Sequence, residues 1–229
     1  MTQPVVAVLV AAGSGTRLGG EVPKALVRVA GRTLVEWSME AMAQGGCDRA
    51  VVVAAASLAE EFRRVLAGSP IPVVVTVGGE RRQDSVANGL ELAGEHGIVL
   101  VHDAARPFVP AEVVRGVITA VAQGSPCVIP VVPVVDTIRE RTPTGPQVVD
   151  RSRLVAVQTP QGFDLDTLRQ AHAEAARRGL EVTDDAAVCE ALGHPVHLVA
   201  GSRESNKVTE PLDVLLARAI AAGRGHEED

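Results

Sequence analysis

Aromatic side chains are almost missing from this chain. Its 229 residues include no tyrosine, one tryptophan and three phenylalanines, 2% in all. That leaves little surface on which unpaired bases could stack, which argues against single-stranded nucleic acid as a ligand. A basic excess is missing too. The formal net charge of -6 runs against duplex or membrane-surface binding, although a few cations can still converge locally on a small phosphorylated molecule. Lysine is nearly absent: of 22 basic residues, all but Lys24 and Lys207 are arginines. Cysteine is sparse, odd in number and scattered at Cys47, Cys127 and Cys189. No local metal knuckle is spaced that way, and the expectation is reduced, mostly buried thiols in a cytosolic protein. No apolar run approaches the ~18 residues of a membrane span, and the start lacks the basic region, apolar stretch and small-residue cleavage site of a secretion signal. A cytoplasmic location follows as an expectation, with neither membrane nor nucleic acid as partner.

What is present is an alternation. Val-rich runs suited to buried parallel strands recur at Val5 to Ala11, Ala50 to Ala55, Pro72 to Val77, Ile98 to Val101, Cys127 to Val132 and Val196 to Val199. Helical patterns separate most of them. Thr33 to Gln44 stops at Gly45-Gly46, Ala111 to Gln123 follows Pro110, and Leu165 to Arg178 ends at Gly179. Thr183 to Leu192 opens on a threonine cap, with Asp184 and Asp185 in its first turn. The pattern predicts an α/β chain with a doubly wound, mostly parallel sheet, organised as one domain over residues 1–229. One segment breaks the rhythm. Val134 to Leu154 reads as two short β-like pieces around the turn-rich "TPTGP", too polar for the middle of a sheet. This is expected to protrude as a β-arm at about 134–154, and an arm needs a partner surface, most simply a second copy of the chain.

The densest signal is "VLVAAGSGTRLGGEVPKAL", Val8 to Leu26. A dinucleotide fingerprint fails there, because Leu18 stands where the third glycine belongs. A P-loop fails as well, since Gly20 is followed by Glu21 and Lys24 follows Pro23. What remains is a strand, a run of small residues through which backbone N–H groups can approach a triphosphate, and two cations, Arg17 and Lys24, at opposite ends of one loop.

That G-x-G-T-R-L…P-K string resembles the nucleotidyltransferases that join a nucleoside triphosphate to a sugar phosphate or similar alcohol phosphate. Six further strings narrow the likeness: "GGERRQDSVANGL", "VLVHDAARPFV", "PVVDTI", "DRSRLVAVQTPQGF", "TDDAAVCEALG" and "SNKVTEPLDV". In order, and over nearly the whole chain, they are similar to the 2-C-methyl-D-erythritol 4-phosphate cytidylyltransferase family. The resemblance implies a Rossmann-like nucleotidyltransferase fold. The implied reaction joins CTP and methylerythritol phosphate into 4-diphosphocytidyl-2-C-methyl-D-erythritol and pyrophosphate, with Mg²⁺, in non-mevalonate isoprenoid synthesis. The alternatives are a ribitol 5-phosphate cytidylyltransferase and a non-catalytic nucleotide-sensing subunit on the same fold.

The resemblance also assigns roles. Ala11, Ala12, Gly13, Gly15, Gly79, Glu80, Ser85 and Ala104 would line the nucleotide, with Ser85 opening a helix; the family commonly has Asp where Glu80 stands. Arg17 and Lys24 would stabilise the transition state. Arg151 and Lys207 would position the second substrate, with Thr137 and Thr159 in its pocket and Arg151 reaching the partner subunit's site. Asp103, at the end of an apolar run, can approach Mg²⁺ or a substrate hydroxyl, while locally it also reads as a helix cap or a partner for Arg106. The resemblance places it between the two substrates. His102, His194 and His197 are expected to be structural, since no second His/Asp pair matches and Pro195 interrupts any zinc-binding helix.

Overall fold

The structure, a computed structural model, describes residues 3–13, 22–182 and 184–225. In chain order the strands and helices are β1 (Val5–Val10), β2 (Arg28–Val29), β3 (Arg32–Thr33), α1 (Leu34–Gly45), β4 (Arg49–Ala54), α2 (Ala59–Val65), β5 (Val73–Val77), α3 (Arg82–Glu91), β6 (Ile98–Asp103), α4 (Ala111–Ala122), β7 (Cys127–Pro133), β8 (Arg139–Thr142), β9 (Gly145–Val148), β10 (Val155–Val157), β11 (Gln161–Asp164), α5 (Leu165–Arg178), α6 (Asp185–Glu190), β12 (Val196–Ala200) and α7 (Pro211–Gly223).

The main sheet runs β10-β7-β11-β6-β1-β4-β5, with β12 also paired to β7. Pairing is parallel from β6 through β1 and β4 to β5, and between β7 and β12. Residues in β1 explain why such strands read as unbroken apolar runs: Val5, Ala7 and Leu9 enter one core cluster with α1 and α4, whereas Val6 and Val8 enter the other with α3, α5 and α6. Both faces are covered, so no polar alternation survives. The chain builds outward from β1 to β4 and β5, then crosses back to lay β6 on the opposite side. That reversal leaves a crevice beyond the carboxyl ends of β1 and β6, where open α/β sheets hold ligands.

Two short strands depart from the parallel plan. β11 lies antiparallel between β6 and β7, with Phe163 opposite both Val99 and Cys127, and β10 pairs antiparallel with the end of β7. Within the segment read as an arm, β8 pairs with β9 in a separate two-stranded ribbon, Thr142 opposite Gly145, turning at Pro143-Thr144. Several predicted helix starts shift. α1 begins after Thr33, which acts as its cap in a reciprocal box with Glu36. α6 is capped by Asp184, whose carboxylate accepts the Ala187 N–H at 2.9 Å; Thr183, the expected cap, lies outside the described residues. Two helices not foreseen from the sequence, α2 and α7, complete the chain, the latter with Pro211 at its first position. All three cysteines are free and buried, and burial beside Asp48 pushes the Cys47 thiol up to about 12.

Candidate active site

The crevice is a cavity of about 360 Å³ lined by residues from five separate chain segments, within the size of small-molecule pockets. Its floor is the end of β1, continuing as Ala11, Ala12 and Gly13, and the end of β6, continuing as Asp103, Ala104 and Ala105. Lys24 enters from the 3-10 turn Lys24–Leu26, Gly79 to Arg82 and Ser85 form one wall, and Lys207 closes the other side.

The glycine wall depends on missing side chains. A Cβ at Gly78 would lie 2.7 Å from Ser85 Oγ, and one at Gly79 would lie 2.4 Å from the Asp84 Cβ. With glycine at both positions the turn folds tightly onto α3, and the Ser85 hydroxyl accepts the Gly79 N–H at 3.1 Å and donates to the Arg81 carbonyl at 3.1 Å. Ser85 therefore sits in the first turn of α3 rather than opening it. The opening residue is Arg82, with Arg81 before it bonded to Asp84 through Nε and Nη2.

Asp103 is the hub. Its Oδ2 accepts from Lys207 Nζ at 2.7 Å and lies 3.7 Å from Arg106 Nε, while Oδ1 lies 4.0 Å from Arg82 Nε. Burial opposes its charge, but Lys207, Arg82 and Arg106 outweigh that and hold the carboxyl below the usual carboxylate range. Of the two local readings, the ion pair with Arg106 is present but longer than the one with Lys207, and no helix is capped. Lys207 is itself held by the chain around it: the Val208 N–H donates to the Ala105 carbonyl at 2.8 Å, and Val208 packs with Trp37, Phe108 and α7 in a third core cluster. Arg106 donates to the Ser205 carbonyl at 2.8 Å, so the loop carrying Lys207 is tied to the end of β6 twice.

Beneath Asp103 lies a buried polar relay. The Asp103 N–H donates to Thr159 Oγ1 at 3.1 Å, Thr159 Oγ1 meets His102 Nδ1 at 2.9 Å, and His102 Nε2 meets the Arg106 carbonyl at 3.1 Å. A carbonyl only accepts, so His102 carries its proton on Nε2 and its Nδ1 accepts from the threonine. Burial lowers the His102 pKa to about 4, against the pull of Asp103, which keeps the ring neutral in this chain of bonds. The structural expectation for His102 agrees. Thr159 is placed under the site, buried with its hydroxyl bonded on both sides, and outside the cavity lining.

The structure thus brings together Ala11, Ala12, Gly13, Lys24, Gly79, Glu80, Ser85, Asp103, Ala104 and Lys207. Gly15 and Arg17 lie outside the described residues. Thr137 and Arg151 stand exposed on either side of the β-arm, away from the cavity lining, with Arg151 donating to the Val135 carbonyl. Arg82 is a lining residue that the sequence reading passed over, although it sits inside a string read for its glycines and serine; a second arginine in "GGERRQDS" was the available signal.

A crevice at the strand reversal of a parallel sheet, small residues at its floor and cations at two sides make a site suited to a phosphorylated nucleotide. Comparison with known proteins narrows the class. Residues 5–222 match the family model described as IspD, 2-C-methyl-D-erythritol 4-phosphate cytidylyltransferase, and the chain belongs to that family. A relative so named from Streptomyces coelicolor is 46% identical over 232 residues, covering 95% of this chain and 85% of its own; one from Saccharopolyspora erythraea is 46% identical over 95% and 99%. The crystal structure of 2-C-methyl-D-erythritol 4-phosphate cytidylyltransferase from Thermus thermophilus superposes with a TM-score of 0.78 at 40% identity, covering 97% of this chain and all of that one.

Proposed function

We propose that this cleft transfers the cytidylyl group of CTP to the phosphate of 2-C-methyl-D-erythritol 4-phosphate, releasing pyrophosphate, in the isoprenoid precursor pathway. The observation that carries the reading is the convergence of Lys24, Asp103 and Lys207, far apart in sequence, on one cavity floored by backbone at the sheet's carboxyl edge. A phosphate oxygen of the alcohol phosphate attacks the α-phosphorus of CTP in line, and the bond to the pyrophosphate oxygen breaks. The attacking phosphate is already ionised at neutral pH, so the protein needs no covalent nucleophile. Its work is to bring two anions together and to meet the negative charge that develops.

Lys24 and Arg17 stabilise that charge. The wall from Gly79 to Ser85 receives the cytosine edge, with Glu80 at its rim, and Ala104 lies under the nucleoside. Lys207, fixed by its bond to Asp103, sits where the incoming phosphate must pass, and Asp103 stands between the two substrates. Mg²⁺ suits the donor set: the Asp103 carboxylate lines the cavity and offers hard oxygen, while among the described residues no group of three acidic, His or Cys side chains forms a cage. Asp103 would hold such an ion carried mainly by phosphate oxygens, and the ion would neutralise triphosphate charge.

The β-arm completes the site in a homodimer. It exposes Val135, Ile138 and Val148 beside Thr137 and Arg151, so an apolar contact with a second copy would carry a guanidinium fork toward that copy's phosphate. The test is pyrophosphate release with CTP and Mg²⁺, comparing methylerythritol phosphate with ribitol 5-phosphate and omitting each component in turn. Turnover with the first alcohol alone is expected. Turnover only with ribitol phosphate, or with neither, refutes the assignment.

A further inference from the structure

Arg82 lies within ion-pair distance of two carboxylates that belong to different parts of the fold. Its Nη2 lies 2.7 Å from Asp185 Oδ2, and its Nε lies 4.0 Å from Asp103 Oδ1. Asp185 opens α6 and is 1% exposed. A charge so buried needs compensation, and it has Arg82 on one oxygen and His172 Nε2 at 3.2 Å on the other. The start of α6 is itself fixed: the Asp184 carboxylate accepts from Gln161 Nε2 at 2.9 Å, and Gln161 Oε1 accepts the Ala186 N–H at 3.2 Å. Arg82 is therefore a cation tethered to a rigid anion behind the cleft, yet it still lines the cavity. Its neighbour Arg81 also lines the cavity but is bonded to Asp84 through Nε and Nη2, so the two arginines of "ERRQ" pair with different carboxylates.

We propose that Arg82 is a positioning residue for the transfer, one that sets the Asp103 carboxylate against Lys207 while it neutralises Asp185. The inference rests on the reading of the cleft given above. A guanidinium suits this double duty because its charge is spread over a rigid plane, so Nη2 can pair with Asp185 while the Nε end stays within ion-pair range of Asp103. The direct consequence is that Asp103 meets cations from three elements: Arg82 on α3, Arg106 after β6, and Lys207 before α7. With Arg82 gone, Asp103 is left to Arg106 and Lys207 on its Oδ2 side, and the carboxylate can rotate away from the second substrate.

The experiment separates this role from mere structural support. Arg82→Gln alone should lower the melting temperature, because it strands the Asp185 charge, and Asp185→Asn in the same chain should restore it. Steady-state kinetics with radiolabelled CTP on that restored double variant should still show KM for methylerythritol phosphate raised about tenfold, with KM for CTP changed less than about twofold. In chains already carrying Asp103→Asn and Asp185→Asn, adding Arg82→Gln should change neither constant further. Arg82→Lys, which keeps the charge but not the fork, should fall between wild type and Arg82→Gln. Wild-type kinetics in the Arg82→Gln/Asp185→Asn variant would overturn the proposal, as would a loss that falls on CTP or one that persists undiminished in the Asp103→Asn background. Absence of turnover in the unmodified chain would instead refute the reading of the cleft itself.

Discussion

Replacing Thr159 with valine tests the relay under Asp103. The two side chains have nearly the same shape, so the change removes one hydroxyl and little else. Two buried groups then lose their partner: the Asp103 N–H, bonded at 3.1 Å, and His102 Nδ1, bonded at 2.9 Å. A stranded buried polar group costs about 1–3 kcal/mol, so two cost about 2–6 kcal/mol; the added methyl returns at most about 0.8 kcal/mol of burial, and the net loss should be about 1–5 kcal/mol. For a chain of this length that is a fall in melting temperature of roughly 2–20 °C. Asp103 is fixed from below through its own backbone, so kcat/KM should drop at least about tenfold even where the variant is fully folded. Thr159→Ser keeps the hydroxyl and should remain within about 1 kcal/mol of wild type. Urea unfolding monitored by circular dichroism, together with pyrophosphate-release kinetics, measures both quantities. A valine variant that matches wild type in stability and kcat/KM would show that Thr159 acts in neither.

Other consequences are equally direct. Lys24→Ala should lose kcat by about a hundredfold with an unchanged melting curve, since the turn it opens is held by the Leu26 and Val27 backbone N–H groups; wild-type turnover would remove Lys24 from the charge-stabilising pair. Arg151→Ala should raise KM for methylerythritol phosphate severalfold more than KM for CTP, and an equal effect on both would place the arm elsewhere. Ile138→Asp with Val148→Asp should convert the proposed dimer into a monomer in sedimentation velocity, because both side chains are exposed on the arm of the single chain and would bring charge into an apolar contact. The three cysteines should stay unreactive toward a thiol reagent in the native protein and react fully once it is unfolded, as their burial requires.

How much of this was visible in the sequence depended on how each residue is buried. Strands covered on both faces, such as β1 and β6, announce themselves as unbroken Val and Leu runs, and the arm announces itself by the opposite signal, polar pieces around a turn. β11 gave no such signal. It has four residues, and its first, Gln161, is buried only because its amide is bonded to Asp184 and to the Ala186 N–H; a polar residue satisfied by distant partners reads as loop. Arg82 was hidden for a related reason. Nothing near it in the chain reveals that its partners are Asp103 and Asp185, which follow only after further strands and helices. The two lysines, conspicuous in the sequence by their rarity, both line the cavity.

The antiparallel insertion of β11 also explains how one carboxylate comes to organise the site. A purely parallel arrangement would set β7 directly beside β6, and nothing would approach Asp103 from below. With β11 between them, the chain entering it carries Thr159 up against the last residues of β6, where the hydroxyl catches the Asp103 N–H and His102. The same segment, through Gln161, fixes the start of α6 and hence Asp185, to which Arg82 is tied. One short strand thus sets the height of Asp103 through its backbone and its orientation through Arg82. That leaves Oδ2 for Lys207 and turns Oδ1 toward Arg82, the geometry a reaction between two anions needs if neither is to be placed by its own flexible contacts.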